Sequence, residues 1–167
     1  MSKSAARDLV LDAGFSTFLG VRMVKTEKNL VVGEVHATEQ HATSYGTRVH
    51  GGLLMAFADA LGAAGAVLNL PSGYWTSTIE SKTNFLAAAK FGWLRGEARP
   101  IHVGQTTQVW CTKISDYDGR LVATVTQTQL VLPVRPPSVK TQTGEALPSD
   151  LQESCPRSDS ADSSDRV

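Results

Sequence analysis

Apolar and polar residues are distributed along this chain in three ways. Between Gly51 and Ile79 there is one charged residue, Asp59, and the centre of that stretch, Leu53 to Leu70, is almost wholly apolar or small. It predicts one long helix that begins near His50 or Gly51 and stops before Pro71, with Asn69 near its end, because proline has no N–H to continue a helix. The flanking sequence has the shorter rhythm of strands. Gly20–Thr26 and Leu30–His36 read as two strands joined at Glu27-Lys28-Asn29, and a polar loop, Ala37 to Arg48, leads into the helix. Beyond the helix, Thr76–Ala87, Gly92–Pro100, Gln105–Ser115 and Arg120–Leu132 read as four more. The last two flank Asp116-Tyr117-Asp118-Gly119, and Asp-Gly tolerates the positive φ that a tight hairpin needs. Within the last run Thr124, Thr126 and Thr128 alternate with Val125, Gln127 and Gln129, a period of two. From Pro133 the pattern changes again: few large apolar residues and much Ser, Asp and Pro, too little to offset the cost of ordering.

A short helix is expected at Ser4–Leu11, with Ser4 as N-cap and Gly14 beyond its end. The order is then helix, hairpin, long helix and a four-stranded meander. A single apolar helix with strands on both sides of it in sequence must be wrapped by one curved antiparallel sheet. Gly62, Ala63, Ala64, Gly65 and Ala66 would let that sheet approach closely. The fold class expected is α+β, the hotdog arrangement, as one domain over 1–132 with a flexible tail over 133–167.

Composition narrows the function classes. With 16 Lys and Arg against 16 Asp and Glu the formal charge is zero, and the cations are scattered, so neither nucleic acid nor a membrane surface is expected as a partner. The two cysteines, Cys111 and Cys155, fit neither a disulfide framework nor a zinc pattern and are read as reduced. Arg7, Asp8 and Asp12 stand where a signal peptide would need an apolar run, and a cytoplasmic location is expected. Leu53–Leu70 approaches membrane-span length, but Asp59 near its middle and its Ala and Gly content favour a buried central helix. There is no GxSxG elbow, phosphate loop or HExxH, and His36, His41, His50 and His102 do not fall at metal-ligand spacing. No metal and no cofactor is expected.

Asp59 carries the chemistry. An unpaired carboxylate in an uncharged, buried helix costs several kcal/mol, which argues that it is used; the plainer alternative is a carboxylate on the helix's wet side. A helix N-terminus supplies unpaired N–H groups and a positive dipole end, and Gly51 at that place has no side chain to block a carbonyl. Gly51 is equally explained by close packing. Eight helical residues separate Gly51 from Asp59, about 12 Å, too far for both to act on one carbonyl within a subunit.

His50-Gly51-Gly52 at a helix start, with an acid eight residues after Gly51, closely resembles the hotdog-fold acyl-CoA thioesterases. The nearer branch is the phenylacetate-degradation and mammalian acyl-CoA thioesterase 13 type, which uses Asp, rather than the 4-hydroxybenzoyl-CoA and 1,4-dihydroxy-2-naphthoyl-CoA thioesterases, which carry Glu. The resemblance covers about residues 15 to 132 and includes TIESKTNFLAAAK and HVGQTTQVWCTKISDYDGRLVATVTQTQLVL. It implies hydrolysis of an acyl-CoA thioester in a site shared between subunits: the Gly51 N–H of one polarises the carbonyl, and Asp59 of the other is nucleophile or general base. A homodimer, paired again into a homotetramer, follows, with coenzyme A as part of the substrate. Thr78 falls at the serine that helps hold the attacking water in the Asp branch, although β-propensity alone also explains a strand threonine. His50 would line the carbonyl pocket or, alternatively, bond a loop carbonyl. Gly52 and Ser44 are the substrate-binding candidates.

One place departs from the family. Asn or Gln usually stands six residues before the HGG histidine; here that residue is Ser44, and Gly46 is shifted by one, so Thr43 or His41 could take the role instead. Lys82, Lys90, Arg48 and Arg99 are candidate phosphate partners, each by default a solvated surface charge, and Trp75, Phe85, Trp93 and Phe57 are candidates for an aryl pocket, although aromatic residues at strand spacing are more often core. The competing reading from another class is a non-catalytic acyl-CoA binding or sensing protein.

Overall fold

A computed structural model describes residues 14–134. Its elements are a helical turn α1 (Phe15–Phe18), strands β1 (Arg22–Glu27) and β2 (Leu30–Ala37), the helix α2 (Gly51–Asn69), and strands β3 (Tyr74–Phe85), β4 (Gly92–Val103), β5 (Thr107–Asp116) and β6 (Leu121–Pro133). The strands form one antiparallel sheet in the order β1-β2-β4-β5-β6-β3, and α2 lies against it, which is the expected α+β hotdog arrangement. Of the remaining expectations, the Ser4–Leu11 helix and the tail after Val134 lie outside the described residues. Gly14 opens α1 as its N-cap.

The four strands after the helix are not a simple meander. β4, β5 and β6 follow one another, but β3 pairs with β6 at the far edge, and β2 takes the edge of β4 that a meander would have given to β3. The chain therefore crosses from one edge of this set to the other between Phe85 and Gly92. Backbone bonds pin the crossing: the N–H groups of Leu86 and Ala87 donate to the Val122 carbonyl (2.9 and 3.2 Å), and the Val49 N–H donates to the Ala89 carbonyl (3.1 Å). A crossing of this kind leaves no periodic trace in sequence.

What seats the helix is a pair of facing glycines. Gly33 on β2 and Gly96 on β4 are cross-strand partners. A Cβ added at either would meet a methyl group of Leu61, 2.6 Å from Cδ2 at Gly33 and 2.5 Å from Cδ1 at Gly96. Leu61 straddles this saddle with no exposure, beside Phe57, which is also fully buried. Burying each such side chain contributes roughly 1.5–3 kcal/mol. Further along the helix, a Cβ at Gly65 would lie 2.5 Å from the ring of Trp110, itself fully buried. Trp110 donates its indole N–H to Gln108 (3.1 Å), whose amide in turn donates to the Ala66 carbonyl (3.3 Å), so the polar atoms beneath the helix are tied back to it.

The outer face of the sheet is charged. Glu34 accepts hydrogen bonds from Arg22 and from Arg95 (3.2 Å) across three adjacent strands. The Arg22 hydrogen bond, more than any other influence, holds the Glu34 carboxyl below the usual carboxylate range. Glu34 therefore stabilises the fold above the ordinary carboxylate range, and this contribution is lost as pH falls through its depressed value. In thermal melts over a pH series, the gap between wild type and Glu34→Gln is expected to be widest near neutral pH and to close in acid; a gap independent of pH would contradict the ion-pair reading.

Candidate active site

The helix start is built as the sequence suggests. His50 is the N-cap of α2, in extended conformation, and its Nδ1 accepts the Gly52 N–H at 2.9 Å. Such a bond satisfies one of the orphan donors of a helix N-terminus and leaves the ring proton on Nε2. His50 thus bonds an amide of its own helix rather than a loop carbonyl. The Leu53 N–H turns to the His50 carbonyl (3.1 Å). The Gly51 N–H has no acceptor among the described residues. The Phe85 ring lies over Gly51, where a Cβ would come within 2.8 Å of Cζ. Glycine is thus needed there by the packing of Phe85, and its amide is left open.

Asp59 sits two turns along, half-buried. It lies on the least buried stripe of α2, which runs through Gly52, Met55, Ala56, Asp59, Ala60, Ala63 and Val67. Its Oδ1 accepts the Thr78 hydroxyl at 2.8 Å and the Gln127 amide at 3.2 Å. Behind Thr78, the Gln129 amide donates to the Thr78 Oγ1 at 2.8 Å, which leaves the single hydroxyl proton for the carboxylate. Thr76 closes the row, donating toward Gln129 Oε1 (3.1 Å) and the Leu130 carbonyl (3.0 Å). Asp59 Oδ2 has no partner among the described residues, so one oxygen is held and the other is available.

A β-bulge puts these groups on one face. Thr76 and Thr78 face Val131 and Gln129 across the β3–β6 ladder, but the register shifts between Thr78 and Glu80, with Ile79 as the extra residue. Cross-strand partners share a face, so beyond the bulge Ser81, Thr83 and Phe85 point with Thr78 toward the helix, as the partners of Gln127, Val125 and Ala123. Unbroken alternation would have put Glu80, Lys82 and Asn84 there. The Phe85 contact with Gly51 depends on this extra residue.

The other sequence candidates are placed as follows. Ser44 is exposed at the tip of a turn closed by the Gly46 N–H on the Thr43 carbonyl (2.8 Å), and its side chain makes no hydrogen bond among the described residues. His41 accepts the Thr38 N–H through Nδ1 (3.0 Å). It borders a cavity of about 270 Å³ with Phe15, Phe18, Leu19, His50, Gly52 and Leu53. Arg48, Lys82, Lys90 and Arg99 form no ion pair among the described residues. Of the aromatic candidates, Phe57 is core, and Trp93 lies on the sheet's outer face against His36 and Arg22, opposite Leu94 and Gly96, which face the helix. Neither opens onto the site. Gln127, Gln129 and Thr76 were not among the candidates. Their signal was present: Gln127 and Gln129 occupy the same alternating positions as Val125 and Val131, which marks them as inward-facing amides. Among the described residues no group of His, Cys, Asp and Glu could hold a metal ion.

Residues 46–123 match the model of the Thioesterase superfamily, a segment that holds the Gly51 amide, Asp59 and Thr78. The 1,4-dihydroxy-2-naphthoyl-CoA hydrolase of Listeria monocytogenes is 29% identical over 109 residues, covering 65% of this chain and 88% of that protein. The proofreading thioesterase EntH of Klebsiella pneumoniae is 28% identical over 106 residues, covering 64% and 77%. The crystal structure of thioesterase HI1161 from Haemophilus influenzae shares the fold, with a TM-score of 0.72 at 18% identity over 81% of this chain and 94% of that one. The chain thus has the hotdog fold, and the proteins it is similar to are named thioesterases and hydrolases.

The bulge makes a direct prediction. Deleting Ile79 should drive Glu80 and Lys82 toward the helix and abolish cooperative thermal unfolding. Ile79→Val, which keeps the residue count and an apolar side chain, should stay within about 0.5 kcal/mol of wild type, as exposed conservative changes do. A deletion variant that melts like wild type would show that the register does not hold the site.

Proposed function

We propose that this chain hydrolyses an acyl-coenzyme A thioester to the free acid and coenzyme A, in a site shared by two subunits. Water adds to the thioester carbonyl carbon, the C–S bond breaks, and the sulfur leaves as the coenzyme A thiol with the proton taken from water. The Gly51 N–H of one subunit receives the carbonyl oxygen as charge develops on it, and Asp59 of the other is general base for the water or nucleophile. Thr78 holds Asp59, and His50 and Gly52 shape the helix start. The single observation that carries this reading is the carboxylate held through Oδ1 with Oδ2 free, eight residues from an open helix amide.

Sharing is supported by what this chain leaves uncovered. About 12 Å of helix separates Gly51 from Asp59. The stripe bearing Asp59 is small and apolar, with Met55 41% exposed. β3 is a sheet edge with Trp75, Ile79 and Phe85 exposed. An edge strand of this length with exposed apolar side chains is a template for pairing. A second copy laid antiparallel on this edge would bring one subunit's Gly51 to the other's Asp59. The homodimer, its pairing into a homotetramer and a cytoplasmic location belong to the same reading, as does assignment to the Asp-using, phenylacetate-degradation and acyl-CoA thioesterase 13 type. The cavity beside His50 and Gly52, at roughly 30 Å³ for each water-sized group, has room for about nine heavy atoms of an acyl chain or ring. The isolation of Ser44 favours the alternative, a protein that binds acyl-CoA without hydrolysing it.

A thiol-release assay across short, long and aryl acyl-CoAs separates these. Hydrolysis of at least one class is expected, and Asp59→Asn should lower kcat at least about 100-fold with the melting temperature unchanged. Full turnover in that variant would remove Asp59 from the chemistry, and binding without thiol release by the wild type would put the non-catalytic reading first. Sharing is tested by co-expressing Asp59→Asn with Gly51→Val. Each mixed dimer keeps one intact site, so on the order of a quarter of wild-type sites should return. Confirmed mixed dimers that stay at single-mutant background would place the acid and the amide within one subunit.

A further inference from the structure

Gln127 is fully buried and carries an oxygen, Oε1, with no hydrogen-bond partner among the described residues. A buried acceptor left alone costs about 1–3 kcal/mol. Stability by itself would favour an apolar side chain of the same length at this place. The amide is nevertheless seated with care. A Cβ at Gly62 would fall 2.5, 2.6 and 2.8 Å from Cδ, Oε1 and Nε2 of Gln127, so the amide occupies a slot that exists only because residue 62 has no side chain. Gly62 lies three residues beyond Asp59, on the adjacent turn of the helix.

The other end of the amide repays this cost in function. Gln127 Nε2 donates to Asp59 Oδ1 at 3.2 Å and reaches the backbone carbonyl of the same residue at 3.5 Å. It thus ties the carboxylate to its own main chain. With the Thr78 hydroxyl on the same Oδ1, the two donors approach from different strands and leave Oδ2 as the unengaged oxygen. A hydroxyl alone would fix a distance and let the carboxylate rotate about it; adding the amide fixes the plane.

We infer that Gln127 is a positioning residue, seated by Gly62, that aims Asp59 Oδ2 at the reacting atoms at the expense of fold stability. The kinetic arm of this inference rests on the hydrolytic reading above; its spectroscopic arm does not. Gln127 acts through Asp59 and touches no substrate.

The test uses Gln127→Met, which keeps length and removes both amide groups, and Gly62→Ala, which keeps the amide but closes its slot. For Gln127→Met the melting temperature should be equal to or above that of wild type. Its kcat should fall about tenfold with KM unchanged, because the acid is no longer aimed at the reacting atoms while the substrate still binds. Gly62→Ala should lower kcat in the same way with Gln127 intact. Independently of activity, the Gln127 side-chain amide resonance should lie at a different position in Asp59→Asn than in wild type. A lower melting temperature with kcat unchanged in Gln127→Met would reduce Gln127 to a packing residue and overturn the inference. An amide resonance indifferent to Asp59→Asn would overturn it too. If the wild type hydrolyses no acyl-CoA but the resonance follows Asp59, the contact stands and the hydrolytic reading is what fails.

Discussion

Everything at this site depends on how closely the helix lies on the sheet, and Leu61 sets that distance. Its two methyl groups rest over Gly33 and Gly96, paired across β2 and β4. Any side chain on either glycine would lift the helix. Asp59 stands two residues before Leu61, so the height of the saddle is the height of the carboxylate above β3 and β6. Hydrogen bonds of 2.8 and 3.2 Å to Thr78 and Gln127 tolerate little vertical error. A dense core of this kind transmits strain rather than absorbing it, so a contact on one side of the helix fixes chemistry on the other.

The polar site was assembled at the expense of that core. β3 and β6 turn Thr76, Thr78, Ser81, Thr83, Gln127 and Gln129 toward the helix, where β2 and β4 present Val31, Val35, Leu94 and Ala98. One half of the sheet anchors the helix and the other half equips it. Of the three buried side-chain oxygens without a partner among the described residues, those of Thr83 and Gln127 belong to the equipped half and that of Thr112 to β5.

Much of this was legible before any coordinates. A long helix that begins near His50 or Gly51 and stops before Pro71 was read from an uncharged run, and the helix runs from Gly51 to Asn69. The β5–β6 hairpin followed from Asp118-Gly119, and Gly119 does adopt positive φ. The fold class came from the order of helix and strands, and the resemblance to the hotdog thioesterases, not spacing, brought Thr78 to the acid. What stayed hidden is of one kind: facts that depend on which non-neighbouring strands meet. The placement of β3 beside β6 is a tertiary choice pinned by Val122 and Ala89, and no local periodicity encodes it. Trp93 could not be sorted from the other aromatic candidates, because a strand residue's face is unknown until its neighbours are. Gln127 was visible as an inward position but silent as to its partner, since Asp59 is 68 residues away.

The extra residue at Ile79 has one further consequence, for how this chain is compared with others. A strand is a two-letter alphabet, in and out, and a bulge is a frameshift in it. Upstream of Ile79 the even-numbered residues of β3 spell the inner face; downstream the odd-numbered ones do. Two relatives aligned without a gap through this strand, one with the bulge and one without, would agree letter by letter at Thr78 and disagree about the meaning of every position from Glu80 to Phe85. Similarity across that segment would then be counted between residues that point in opposite directions. For this strand, the unit that carries over between proteins is the frame, and the residue number follows from it.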